Sequence, residues 1–160
     1  MKKAFSAVVV VGSIIYAGLL YYMLFRLPGR GMVVASESML EHYNYWNSVN
    51  VVPFRTITQD LAAATETATR GHAIRNLAGN LFLLVPLGFI LPFFWRQMRR
   101  ITPYCLVVTV FIVAVEVAQL IGRSGSLDVD DFILNFTGAL LGFLCFTRTP
   151  LRQWLDLRGG

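Results

Sequence analysis

The chain has 160 residues, of which 56% are hydrophobic and only 14% are charged. Charged residues make up about a quarter of a typical soluble domain, so this composition excludes an ordinary soluble protein and indicates one integral membrane domain, 1–160. The formal net charge is +5, but the basic residues lie in small groups at the ends of apolar runs. That distribution is typical of membrane topology, so no nucleic-acid partner is expected.

Four apolar segments are long enough to cross a bilayer as helices, because a span needs about 20 residues. They cover about 4–25, 77–95, 102–121 and 130–147. The first exceeds the roughly 7–15-residue apolar core of a signal peptide, so we expect an uncleaved membrane helix. The predicted fold class is an all-α membrane protein with four transmembrane helices and a long extracytoplasmic loop, 26–76, between the first two.

Lysine and arginine predict the orientation of these spans, because cytoplasmic loops of membrane proteins are enriched in them. One side of the predicted bundle collects Lys2, Lys3, Arg96, Arg99, Arg100, Arg148, Arg152 and Arg158. We therefore expect both termini in the cytoplasm, with residues 26–76 and 122–131 facing outward.

The outer loop contains the segment "MLEHYNYWNSVNVVPF", in which aromatic and polar residues alternate irregularly. Such a mixture is typical of a segment at the level of the lipid headgroups. Pro53 interrupts any helix there, and "TQDLAAATETATRG" predicts a short helix that ends at Gly71. A surface-lying loop and a binding lid both fit this pattern.

Three spans carry polar residues that the predicted topology places toward the outer face. Helical spacing puts each group on one face: Asn76 and Asn80 on the second span, Glu116, Gln119 and Arg123 on the third, and Asp131 and Asn135 on the fourth. A rise of about 1.5 Å per residue gives the groups similar depths. We therefore predict a shared polar cluster in the outer leaflet. The alternative is a structural clamp of interhelical hydrogen bonds.

The aspartates before the fourth span allow two interpretations. Asp128 and Asp131 have the spacing of a helix N-cap and a carboxylate three residues later, and an acidic first turn complements the helix dipole. Alternatively, Asp128, Asp130, Asp131 and Glu116 gather a hard divalent cation through oxygen ligands. The spacing matches no metal-binding loop, so no metal site and no cofactor are predicted.

Glycines on two spans indicate close helix packing. Gly138 and Gly142 are four residues apart on the fourth span, and Gly88 lies on the second. Small residues at this spacing let two helix backbones approach each other. Pro86 and Pro92 are expected to bend the second span.

Four blocks of sequence, in order from Asn50 to Gly142, resemble the VanZ-like family of bacterial membrane proteins, which is named for a member associated with teicoplanin resistance. The blocks are "NVVPFRTI", "NLAGNLFLLVPLGFILP", "EVAQLIGR" and "DVDDFILNFTGALLG". Matched residue by residue, the family pattern falls on Asn50, Pro53, Phe54, Asn76, Asn80, Pro86, Gly88, Glu116, Gln119, Arg123, Asp128, Asp131, Asn135, Gly138 and Gly142. The resemblance implies a multi-pass protein of the bacterial cytoplasmic membrane with a role in the cell envelope and the glycopeptide response.

This context and the predicted cluster together suggest a ligand. We expect the cluster to engage the headgroup of a membrane lipid or a lipid-linked peptidoglycan precursor, with an effect on glycopeptide access; the glycopeptide antibiotic itself is the other candidate partner. The candidate binding residues are Asn76, Asn80, Glu116, Gln119, Arg123, Asp128, Asp131 and Asn135, with Asn50, Pro53 and Phe54 as candidates in the loop.

The alternative function is that of a membrane enzyme that modifies a lipid or a cell-wall intermediate. Glu116 would be its acid or base, with Asp131 as a second catalytic candidate. A carrier is disfavoured because four spans show no inverted repeat. The sequence does not indicate an oligomeric state.

Overall fold

A computed structural model describes residues 2–26, 49–122 and 125–150. Its elements are helix α1 (Lys2–Phe25), strand β1 (Val49–Asn50), helices α2 (Arg55–Ala63), α3 (Arg70–Leu83) and α4 (Leu87–Phe94), a 3-10 helix (Arg96–Arg99), helix α5 (Ile101–Ile121), strand β2 (Leu127–Asp128) and helix α6 (Val129–Arg148). The two short strands form a two-stranded sheet. The predominance of helix in the described residues confirms the predicted fold class.

Four helical segments are long and apolar enough to cross a membrane. They are Phe5–Phe25, Arg70–Phe94, Ile101–Ile121 and Val129–Arg148. The protein is therefore a multi-pass membrane protein with the four predicted spans. The second helical segment begins at Arg70, seven residues before the predicted start, because the polar run before Leu77 continues the helix beyond the apolar stretch. The loop predicted to reach residue 76 therefore ends earlier.

The short helix of the outer loop also differs from its prediction. It ends at Ala63, and Gly71 lies in the first turn of α3. The carbonyls at the end of α2 accept threonine hydroxyls as well as the N–H groups of a tight turn. Thr65 Oγ1 donates to the Ala62 carbonyl and Thr69 Oγ1 to the Ala63 carbonyl, both at 2.7 Å. Such side-chain bonds to the last carbonyls compete with helix continuation, which explains the early end.

Pro86 divides the second span into α3 and α4. Proline lacks an N–H group and clashes with the preceding turn of a helix. The N–H groups of Val85, Leu87 and Gly88 each bond to the carbonyl three residues before, at 3.0–3.3 Å. Tight turns therefore keep the backbone bonded through the interruption, as a lipid environment requires. Pro92 lies inside α4.

The chain divides into two compact units. The first comprises Met1–Asn50 and Val115–Leu127. In it, Leu20 and Leu24 of α1 are buried, and Gln119 Nε2 of α5 donates to the Leu24 carbonyl at 2.8 Å. This hydrogen bond links α1 to the C-terminal part of α5, from Val115 onward, which belongs to the first unit.

The second unit comprises Val51–Ala114 and Asp128–Gly160. Its helices α3 and α4 pack directly against the backbone of α6. A Cβ atom on Gly138 would overlap the Leu81 carbonyl oxygen, and one on Gly142 would overlap that of Val85. Gly88 in turn faces the backbone of Gly142. This close approach confirms the role predicted for these glycines.

Aromatic packing contributes to the second unit's core. Tyr104 of α5 is buried, and its hydroxyl donates to the Ala139 carbonyl of α6 at 2.8 Å. Its ring stacks on Phe143 with 4.6 Å between ring centroids, while Phe89 and Phe146 meet edge to face at 6.3 Å. The part of α6 from Ala139 to Phe146 is therefore tightly packed against aromatic side chains.

Candidate functional site

Asp128 caps the N-terminus of α6. Its extended backbone precedes the first helical residue, and its Oδ1 accepts from the Asp130 N–H at 2.8 Å. This bond satisfies one of the N–H groups that a helix start leaves without an intrahelical partner, and it confirms the predicted N-cap. The other oxygen, Oδ2, accepts from Thr56 Oγ1 of α2 at 2.6 Å. The side chain therefore also fastens α2 to α6.

Asp130 supplies the acceptors for the N-terminus of α2. The side chain is 0% exposed. Its Oδ1 accepts from the Phe54 N–H at 2.5 Å, and its Oδ2 accepts from the N–H groups of Thr56 at 2.7 Å and Ile57 at 3.1 Å. Phe54, the N-cap residue of α2, has no side-chain capping bond of its own. A carboxylate at this position also complements the positive end of the helix dipole.

Phe54 has a left-handed backbone, with φ 65° and ψ 4°. A residue other than glycine rarely adopts this conformation unless the surrounding structure holds it. The bond from its N–H to Asp130 provides that restraint. The Phe54 side chain and Pro53 are exposed, whereas the third loop candidate, Asn50, is half-buried in the first unit.

Carboxylates and amides of three helices form a connected polar chain in the second unit. Asn76 Nδ2 donates to Asp60 Oδ2 of α2 at 2.7 Å. Asn80 Nδ2 donates to Asn76 Oδ1 at 3.4 Å and to Asp131 Oδ1 of α6. Asn135 Nδ2 then donates to the Asp131 carbonyl at 2.9 Å. We call these five residues the polar chain.

One end of the polar chain has an unsatisfied acceptor. The Asp131 carbonyl can only accept, so the amide nitrogen of Asn135 must face it and the amide oxygen turns away. Asn135 Oδ1 is buried, and no hydrogen-bond donor in the described part of the chain reaches it. A buried acceptor without a partner costs about 1–3 kcal/mol, so native proteins rarely retain one without a reason.

Glu116 and Gln119 are buried in α5 and belong to the first unit. The bond from Gln119 to Leu24 matches the alternative of an interhelical clamp for this residue. The predicted meeting of Glu116 with Asn80 and Asn135 stays a prediction, as does a catalytic role for Glu116. Arg123 lies outside the described residues.

The cation alternative receives no support from the described aspartates. Asp128 and Asp130 direct their oxygens at N–H and hydroxyl groups of α2 and α6. Within residues 2–26, 49–122 and 125–150, no three histidine, cysteine or acidic side chains gather as a metal site would require. These carboxylates join helices.

Sequence reasoning missed two acidic residues. Asp60 was not singled out within the predicted short helix of the outer loop, and Asp130 was named only as a possible cation ligand. The sequence did show that the first turn of the fourth span has more acidic residues than an N-cap needs, which was the available signal for Asp130. For Asp60, the missing information was that α2 lies beside α3, where its carboxylate reaches Asn76.

Comparison with protein families identifies the family of this chain. A family model described as VanZ/LLP1 matches residues 13–151, a range that includes all four sequence blocks and every residue of the polar chain. No curated protein and no solved structure matches the chain.

Proposed function

Since this chain belongs to the VanZ/LLP1 family, we propose that it acts in the bacterial cytoplasmic membrane, where an outward-facing polar site binds the headgroup of a lipid or of a lipid-linked peptidoglycan precursor. Both termini face the cytoplasm in this proposal. The observation that carries it is the polar chain, whose hydrogen bonds cross three helices and end at Asn135 Oδ1, a buried acceptor that no donor among the described residues reaches.

The depth of the polar chain supports a headgroup as the ligand. Asp131 is the third residue of the span Val129–Arg148, so it lies about 3 Å along that helix, and Asn135 lies about 9 Å along it. Asn80 contacts Asp131 although it is the eleventh residue of its own helix. The polar residues at the start of α3 therefore extend beyond the start of α6, toward the headgroups.

The chemistry of the polar chain suits a headgroup rich in hydrogen-bonding groups. Carboxylates accept only, whereas asparagine amides both donate and accept, so together they match hydroxyl, amine and peptide groups. Asn135 Oδ1 specifically requires a donor, and binding or opening of the site would supply one. The headgroup contacts predicted for Glu116, Gln119 and Arg123 stay predictions.

A purely structural clamp is the competing explanation. The bonds from Asn76 to Asp60 and from Asn80 to Asp131 would serve a clamp equally well. A clamp gains nothing from a buried acceptor that no donor in the described ranges reaches, because each such group lowers stability. Asn135 is therefore the residue that favours a binding site.

Native mass spectrometry of the full-length protein, released from nanodiscs made with bacterial lipid extract, tests the proposal. We expect bound lipid on the wild type and its loss from Asn80→Ala and Asp131→Asn. The control is Glu66→Gln, which removes an exposed charge outside the polar chain and is expected to retain lipid. Equal lipid occupancy in all four proteins, each folded by circular dichroism, would reject the binding site.

Antibiotic susceptibility tests the proposed role in the cell. In a strain whose teicoplanin resistance depends on this protein, Asp131→Asn and Glu116→Gln are expected to restore susceptibility at normal expression. Glu66→Gln is expected to leave resistance intact. Full resistance of the Asp131 variant would separate the polar chain from any role in resistance, and full resistance of the Glu116 variant would reject the role predicted for Glu116.

A further inference from the structure

The segment that leads into α2 exposes a run of apolar side chains. Val51 is 70% exposed, Val52 54% and Phe54 59%, and Pro53 between them is also exposed. Leu61, on α2 itself, is 57% exposed. We call Val51, Val52, Phe54 and Leu61 the apolar ridge.

Hydrogen bonds to the start of α6 determine how deep in the membrane the Phe54 part of the apolar ridge lies. The Phe54 N–H bonds to Asp130, and the Thr56 hydroxyl bonds to Asp128. Asp128 caps the span Val129–Arg148, and Asp130 is its second residue. A 20-residue helix measures about 30 Å, the thickness of the hydrocarbon core, so its first turn lies near the boundary between acyl chains and headgroups. The backbone of Phe54 therefore lies at that boundary.

The residues around the ridge suit this depth. Aromatic and apolar side chains are favourable at the boundary, where they reach the acyl chains, whereas the same surface in water would favour aggregation. Arg55, which follows Phe54, is exposed. Its long side chain can lie along apolar surface and still place the guanidinium among lipid phosphates.

We infer that the apolar ridge inserts into the adjacent leaflet of the bilayer, the outer leaflet in the proposed orientation, at the level where the acyl chains begin. The partner is the lipid itself. Asp128 and Asp130 act as positioning residues, because they hold the segment against the start of α6. This inference does not depend on headgroup binding by the polar chain, and either can fail without the other.

Site-specific fluorescence tests the insertion. The variants Val52→Cys and Leu61→Cys are each made in a Cys105→Ala/Cys145→Ala background, so that each protein has a single cysteine. This cysteine is labelled with the polarity-sensitive dye NBD, and the full-length protein is placed in phospholipid vesicles. The matched control is Gln59→Cys, an exposed residue two positions from Leu61 and therefore on another face of α2.

Insertion predicts blue-shifted emission at positions 52 and 61, and several-fold stronger quenching by lipids with a doxyl group near the carbonyl end of the chain. The label at position 59 is expected to be quenched mainly by aqueous iodide. The inference is overturned if iodide quenches positions 52 and 61 as strongly as position 59 and doxyl lipids do not quench them. All three cysteines replace exposed residues, and circular dichroism checks that the labelled proteins keep their helix content.

Discussion

Asp130 joins two parts of the chain that are distant in sequence. Its carboxylate accepts from the Thr56 N–H, 74 residues earlier, and from two neighbouring N–H groups. Local capping rules predicted the role of Asp128, because an N-cap bonds within its own helix. They could not predict the role of Asp130, whose donors belong to another helix. The left-handed backbone of Phe54 was equally hidden, since phenylalanine gives no signal for it.

Asp130→Asn is expected to lower the free energy of unfolding by about 3 kcal/mol, because hydrogen bonds to a charged group contribute about 1.5–3 kcal/mol each. The isosteric amide also turns an N–H₂ group toward N–H donors. Thermal unfolding in detergent, followed by circular dichroism, measures the effect. Glu66→Gln serves as the control, and equal midpoints for the two variants would contradict the assigned role.

The apolar helices were predictable to within a few residues at most ends, because membrane hydropathy is a local property of the sequence. The observed helix ends differ from the predicted ones where polar residues determine the end of the helix. The threonines after α2 bond its last carbonyls, and the polar start of α3 continues the helix beyond the apolar stretch. Neither effect has a hydropathy signal.

Gly138→Ala and Gly142→Ala are expected to destabilise the packing of α3 and α4 on α6 severely, because the added methyl groups would overlap backbone carbonyls that have no room to move. Gly12→Ala and Gly71→Ala are the matched controls. Both lie in helices with nothing within 4 Å of the added Cβ, and alanine favours a helix by about 1 kcal/mol.

Thermal unfolding and the yield of monodisperse protein compare the four glycine variants. Lower values only for the two variants in α6 are expected. Wild-type behaviour of Gly138→Ala and Gly142→Ala would mean that the helices do not meet at these glycines.

Across the whole molecule, depth and helical spacing predicted part of the polar cluster. Asn76, Asn80, Asp131 and Asn135 do come together in the second unit. Their spacing along two regular helices made this predictable. The contribution of Asp60 could not be predicted. It depends on where α2 lies, and the sequence of the outer loop has no periodic pattern that indicates this position.

The proposed orientation of the whole molecule predicts how two engineered cysteines react in intact cells. In a Cys105→Ala/Cys145→Ala background, Glu66→Cys is expected to react with a membrane-impermeant maleimide, since the proposed orientation places the outer loop away from the cytoplasm. Gln97→Cys, between basic residues, is expected to react only after lysis. Both wild-type residues are exposed, so access to the reagent depends on the side of the membrane. The reverse pattern would invert the topology and place the polar chain inside the cell.

The bonds of Asp130 also have a consequence for biosynthesis. A chain emerges from the ribosome N-terminus first, so residues 54–57 are made well before the carboxylate that accepts from them. Until the last span has been inserted, the first turn of α2 lacks these acceptors. Residues 54–57 are therefore expected to reach their final conformation late, after the last span has entered the membrane.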